Sequence, residues 1–389
     1  MVKGRRHRRG CGALTVSELA AEPPYHAELT PPSEAVAWDV AERVARRFAR
    51  RTSTRVDWAT LRSLVTDFEE FTAQAESLVE QSTGLRSLAG PARAQVSTRE
   101  EWIHANVSSF RRLLGPVLER VGKSGRGLPG ALGPVGRTAA GAELGVVLGW
   151  MSGRVLGQYD LLFADGESAQ DAVYYVGPNI VSLERRHGFD PREFRLWIAL
   201  HELTHRAQFT GVSWLRAHFL DLVERSVAIA SPDPRQVMNA LGRMVIDIRS
   251  GRNPLAESGL VGALASPEQL ETLRSIQGMM SLLEGHGEVT MDRAAQDLIP
   301  SAARFSQVLR ARRESASGLT KLFQQLIGLE AKLRQYADGA HFVREIERTG
   351  GPELLALAWQ GPENLPSAAE IRAPDHWVSR LRGLALEPG

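Results

Sequence analysis

Val36, Val40, Val44 and Phe48 recur at helical spacing with arginines between them, so the chain enters an amphipathic helix there. Leu61 to Glu80 and Trp102 to Val121 keep the same period, which predicts a helical layer over 36–136. Gly122 to Gly136 is rich in glycine and proline and reads as an internal loop. Ala139 to Tyr159 reads as an apolar helix in which Gly145, Gly149 and Gly153, four apart, let another backbone come close. Strand character is confined to Ala172 to Leu183, where Val173, Tyr174, Tyr175, Val176, Ile180 and Val181 surround Gly177-Pro178-Asn179. A proline cannot donate to a ladder, so this element is expected at an edge or with a bulge. Asp190-Pro191-Arg192-Glu193 is a helix start, with Asp190 as cap, Pro191 in the first turn and Glu193 placed to bond back. The fold expected is mainly α with a small β-sheet. Its metal-binding core spans 139–300, with a long helical insert over 206–280, and a C-terminal helical region covers 301–385.

Charge alters this picture only at one end. The net charge of +2 includes Lys3, Arg5, Arg6, Arg8 and Arg9, and without those five the rest carries −3. Such a body has no global field to steer it to phosphate, so nucleic-acid binding is not expected beyond the basic tail. Residues 1–35 read as a disordered tail and a proline-rich lead-in. The single cysteine, Cys11, excludes an internal disulfide framework and a cysteine-built metal site. The longest apolar run, Leu144 to Gly153, meets Arg154 well short of the ~18 residues of a membrane span. No secretory h-region follows the basic start, so membrane insertion is not expected and the cytoplasm is the default.

Chemistry concentrates in His201-Glu202-Leu203-Thr204-His205, an H-E-x-x-H motif. On a helix, residues four apart lie one turn above each other, so both imidazoles can reach one metal. Glu202, turned by ~100°, then faces the edge of the site, where a general base belongs. The motif would arise by chance in roughly one such chain in fifty, so its context decides. Phe194, Trp197 and Ile198 form an apolar stripe leading into the two histidines, and a buried histidine pair needs partners, of which a metal is one. The metzincin extension is absent, with Gln208 where its glycine would stand and Gly211 where its third histidine would be.

The third ligand must therefore come from elsewhere. Glu284, Glu288 and Asp292 are spaced by four amid Met279, Met280, Leu282, Leu283, Val289 and Met291. On a helix they would share a face, giving one carboxylate for the metal and others behind it. Glu284 leads, and Glu288 is the alternative. His286, two residues on, points away from Glu284, towards substrate or a structural hydrogen bond. Lys332, Arg334 and Tyr336 lie on a late helix from which Arg334 and Tyr336 could face an oxyanion. Tyr175 marks the strand that could align an extended peptide. His187, His218 and His341 have no partner at metal-binding spacing and read as surface or capping residues.

The run VYYVGPNIVSLERRHGFDPREFRLWIALHELTHRAQF, the segment LLEGHGEVTMD and the stretches GLEAKLRQY and PENLPSAAEI resemble the zincin-like metallopeptidase type 2 family. These are actinobacterial candidate hydrolases often labelled as associated with biosynthesis of a deazaflavin coenzyme. The resemblance covers roughly residues 36 to 385. Glu284-Gly285 is similar to the E-G-x-A segment that carries the glutamate ligand of gluzincin-type peptidases, and this favours Glu284 over Glu288. The resemblance implies a Zn2+ cofactor held by His201, His205 and Glu284, a peptide or protein substrate, and Glu202 as base. A non-catalytic, zinc-binding accessory protein is the second reading. Because the first ten residues offer little to bury beyond Met1 and Val2, truncation before Ala13 is expected to leave the melting temperature unchanged. A large drop in a thermal melt would show that the tail docks on the body.

Overall fold

The computed structural model describes residues 36–51, 56–123, 134–159, 172–228, 267–295, 298–314 and 329–384. The tail, the loop centre and most of the expected insert lie outside them. All the described residues belong to one unit, Glu34–Gly389. It is mainly helical with a small sheet, as the periodicity predicts.

Helix α1 (Trp38–Arg51) lies against α4 (Pro134–Ser152) with almost no side chain between them. A Cβ on Gly145 would stand 2.5 Å from the Ala41 carbonyl oxygen, and one on Gly149 would stand 2.5 Å from Phe48 Cβ. Gly141 meets the Ala37 backbone in the same way. The close-packing stripe is thus Gly141, Gly145 and Gly149. Gly153 lies beyond the helix, which ends at Ser152 and not near Tyr159. Between these two helices in sequence come α2 (Trp58–Thr83), strand β1 (Arg93–Ser97) and α3 (Arg99–Lys123). Asp57 caps α2 through the Thr60 N–H at 2.9 Å, and Gly84 ends it at φ 68°, a left-handed turn that suits a residue without Cβ.

Two strands went unread in the sequence. β1 breaks the helical layer, and β2 (Gly157–Tyr159) follows α4. Both flank β3 (Ala172–Val176), giving the order β1-β3-β2. β1 runs parallel to β3 with Arg93 opposite Ala172, and β2 runs antiparallel with Gly157 opposite Tyr175. The strand containing Tyr175 is therefore central, not an edge. It also stops at Val176, because Gly177-Pro178-Asn179 opens α5 (Gly177–His187). Proline in the first turn needs no amide donor, and Ile180 and Val181 are buried helix positions. Asn179 locks the turn: its amide donates to the Ser152 and Val155 carbonyls at 2.8 and 2.6 Å, while its oxygen accepts from Arg99 at 2.7 Å.

Helix α6 (Pro191–Gly211) carries the motif and starts as expected, with Asp190 accepting from the Glu193 N–H at 3.0 Å. The Glu193 carboxylate does not bond back; it accepts from the Ser301 N–H at 2.9 Å. After α7 (Leu215–Ala228) come α8 (Pro267–Ala295), α9 (Ala302–Glu314), α10 (Leu329–Ala356, broken at Gly350 and Gly351), α11 (Ala368–Arg372) and α12 (Pro374–Leu384). The stretch 206–280 is no separate insert at its ends, since 206–211 finish α6 and 267–280 begin α8. The main core joins Phe68 of α2, Tyr175, Ile180, and Phe194, Ile198 and Leu203 of α6 to Met291 and Phe305. A second core, of Leu282, Phe342, Val343, Ile346 and Trp377, clamps α8 against α10 and α12.

The outer side of α6 is held by charge. Arg195 is buried, binds Glu184 at 2.8 and 3.0 Å and Asp67 at 2.6 Å, and reaches Ser63 at 2.8 Å. Removing one member of such a buried cluster strands the others, so Arg195→Ala is expected to cost about 3–5 kcal/mol of unfolding free energy. Urea unfolding measures it, and a loss below ~1 kcal/mol would show the cluster to be as weak as surface pairs.

Candidate metal centre

One turn of α6 and one of α8 meet at a single point. A donor atom from each of His201, His205 and Glu284 lies within 4.8 Å of the others. His205 Nε2 stands 3.5 Å from Glu284 Oε2. Two donors each ~2.1 Å from a shared tetrahedral zinc would stand about 3.4 Å apart, so the spacing suits that ion, as does a His2Glu donor set. The rings of His201 and His205 are 4.6 Å apart and nearly perpendicular. His201 stacks parallel on Trp197 and sets its Nδ1 3.3 Å from Met291 Sδ, while His205 Nδ1 stands 3.0 Å from Gln208 Oε1. Side-chain exposures of 16% for His205 and 14% for Glu284 leave both partly accessible.

Glu202 is buried beside this cluster. Its Oε2 accepts from the Tyr159 N–H of β2 at 3.2 Å, and a Cβ on Gly157 would lie 2.5 Å from its Cγ. Glycine there is what lets the carboxylate lie flat against the strand. Burial pushes the Glu202 carboxyl up to about 7, with neighbouring Glu284 adding to the rise against the pull of His205 and the Tyr159 N–H. For His205 burial acts downward, but the charge and hydrogen bond of Glu284, with Glu202 and Gln208, outweigh it and raise the imidazole to about 9.

The remaining candidates are placed differently. Four residues on a helix turn ~400°, so each step of four drifts ~40° from Glu284. Glu288 accordingly pairs with Arg310 at 3.3 Å and Arg344 at 3.8 Å, and Asp292 with Arg344 at 2.7 Å. Neither is in the ligand cluster. Tyr175 cannot touch substrate, being fully buried in the central strand, stacked on Phe68 and bonded to the Thr72 hydroxyl at 2.8 Å. His286 is buried against Trp359, with Nδ1 3.0 Å from Gln208 Nε2. Burial, helped by Arg293 and His205, pushes its pKa down to about 4. Arg334 and Tyr336 fall on helix α10, and their side chains lie outside the described residues.

Three contacts were not read in advance. Gln208 appeared only as a break in another family's pattern, although a polar residue one turn after His205 on a buried face was itself a signal. Gly157 and Met291 carried none.

Residues 36–378 match the zincin-like metallopeptidase family. The chain belongs to that family. A solved structure described as a candidate hydrolase with a novel fold, from Chloroflexus aurantiacus, is similar at 30% identity and a TM-score of 0.66, over 89% of this chain and 99% of that one. No curated protein matches. Membership of a zincin-like family agrees with a metal site at the H-E-x-x-H helix and with hydrolase chemistry.

In this zincin-like chain the glycine after Glu284 has a packing reason. A Cβ on Gly285 would run into the Gly339 backbone of α10, whereas one on Gly287 would find His205 Cε1 at an ordinary 3.6 Å. Gly285→Ala is expected to cost about 1–3 kcal/mol by overpacking and to weaken zinc binding, while Gly287→Ala is expected to do neither. Thermal melts with and without zinc make the comparison, and equal behaviour of the two variants would refute it.

Proposed function

We propose that the chain is a zinc-dependent peptidase, a hydrolase that cleaves peptide bonds in a peptide or protein substrate. The observation that supports this best is the buried Glu202 carboxylate, held against β2 beside the His201, His205 and Glu284 cluster. His201, His205 and Glu284 would hold Zn2+, which supplies a Lewis acid for a carbonyl and lowers the pKa of water towards ~7. Glu202 takes a proton from water at one carboxylate oxygen and returns it to the leaving amine. The Tyr159 N–H fixes the other oxygen, so the base keeps one orientation. β2, the outer strand on that side among the described residues, takes over from β3 the task of aligning an extended peptide. No helix is long and apolar enough to cross a membrane among the described residues.

Elemental analysis of protein purified without added metal is expected to give one zinc per chain. Glu202→Gln keeps the size and loses the proton acceptor, so zinc stays while hydrolysis of a peptide library falls by ~10²-fold or more. Glu284→Ala removes one of three ligands and is expected to lose the metal. A stable, metal-free wild type would refute the metal site. Wild-type zinc without hydrolysis would leave the chain as a zinc-binding accessory protein.

A further inference from the structure

We propose that Gln208 is a positioning residue of the metal centre: it fixes His205 in the tautomer protonated at Nδ1 and so aims the Nε2 lone pair at the metal position. This rests on the zinc reading above and adds a group to it. Gln208 is fully buried, and three polar neighbours converge on its carboxamide. The Leu283 carbonyl, 2.9 Å from Gln208 Nε2, can only accept. The amide nitrogen must therefore face α8, where its second hydrogen points to His286 Nδ1 at 3.0 Å. That choice turns the carboxamide oxygen towards His205 Nδ1, 3.0 Å away. An oxygen accepts only from an N–H, so the proton of neutral His205 belongs on Nδ1. Nε2, the atom that stands 3.5 Å from Glu284 Oε2, keeps its lone pair. The polarity of one backbone carbonyl, next in sequence to Glu284, is thereby relayed to the ring on the other helix. Partners behind metal-bound histidines act in this way in general, and here the partner also ties the two ligand-bearing helices together.

The test uses the full chain and Zn2+ itself. Gln208→Met fills the volume without hydrogen bonds, and Gln208→Glu keeps an acceptor for His205 while losing both donors. Zinc affinity is read by chelator competition. The His205 Nδ1–H is read by long-range 1H–15N spectra of zinc-loaded protein labelled in histidine. Gln208→Met is expected to bind zinc ~10–100-fold more weakly, the usual cost of losing such a partner, and to lose the protected Nδ1–H signal. Gln208→Glu is expected to keep the signal and to bind more tightly than Gln208→Met. Wild-type affinity in Gln208→Met would reduce Gln208 to packing and overturn the proposal, as would Gln208→Glu binding no better than Gln208→Met. Should Gln208→Met fail to fold, loss of the signal in Gln208→Glu alone would overturn it. A wild-type chain that binds no zinc would sink the metal reading first, a result distinct from every variant comparison.

Discussion

The candidate site exists only while α8 lies at one fixed depth between α6 and α10. Its ligands come from two helices whose contacting residues, Gln208 and Leu283, are 75 positions apart in the sequence. On the far side of α8, Gly285 and Gly339 bring two backbones into direct contact. Nothing flexible separates α10 from the turn that carries Glu284, so an added methyl group there must displace one backbone or the other. On the near side, a carboxamide that bonds both helices sets the same distance from within. Packing and hydrogen bonding thus specify one geometry independently, which is how a site is held to within fractions of an ångström.

Helix α6 carries this site at an electrostatic cost. Arg195, Glu202 and Arg206 are all buried along one helix, and each charged group withdrawn from water needs a partner. Arg195 finds two carboxylates, while Arg206 reaches Glu76 at 2.5 Å and the Gly90 carbonyl at 2.7 Å. Among the described residues Glu202 receives the Tyr159 N–H and the neighbouring histidine charge, and burial still raises its proton affinity. Both arginines are met by carboxylates, although Arg206 Nε has no acceptor among the described residues, whereas the glutamate faces another carboxylate, Glu284, as well as His205.

The sequence made the motif helix legible because its signals are local. Asp190, Pro191 and the spacing of Phe194, Ile198, His201 and His205 act within one helix, and no distant contact can reverse them. The segment carrying Glu284 was legible for the same reason: Glu284 led and Glu288 was the alternative on a spacing of four, and the arginines from α9 and α10 that hold Glu288 show why it lies outside the cluster. The sheet was not legible. β1 and β2 are short and polar, and they are strands only because β3 lies between them. The misreading of Gly177-Pro178-Asn179 has a similar root, since β-branched Ile180 and Val181 are placed in a helix by burial against a distant core and by the Asn179 bonds, not by their own preference.

The order in which the chain is made gives the glycine contact a further meaning. His201 and His205 are synthesised well before α8, and two histidines alone would make an incomplete coordination shell. Glu284 follows, but its helix has no fixed depth until Gly339 of α10 arrives behind it. The cluster of His201, His205 and Glu284 can therefore close only once the last third of the chain is present, because Gly339 sets the depth at which Glu284 lies.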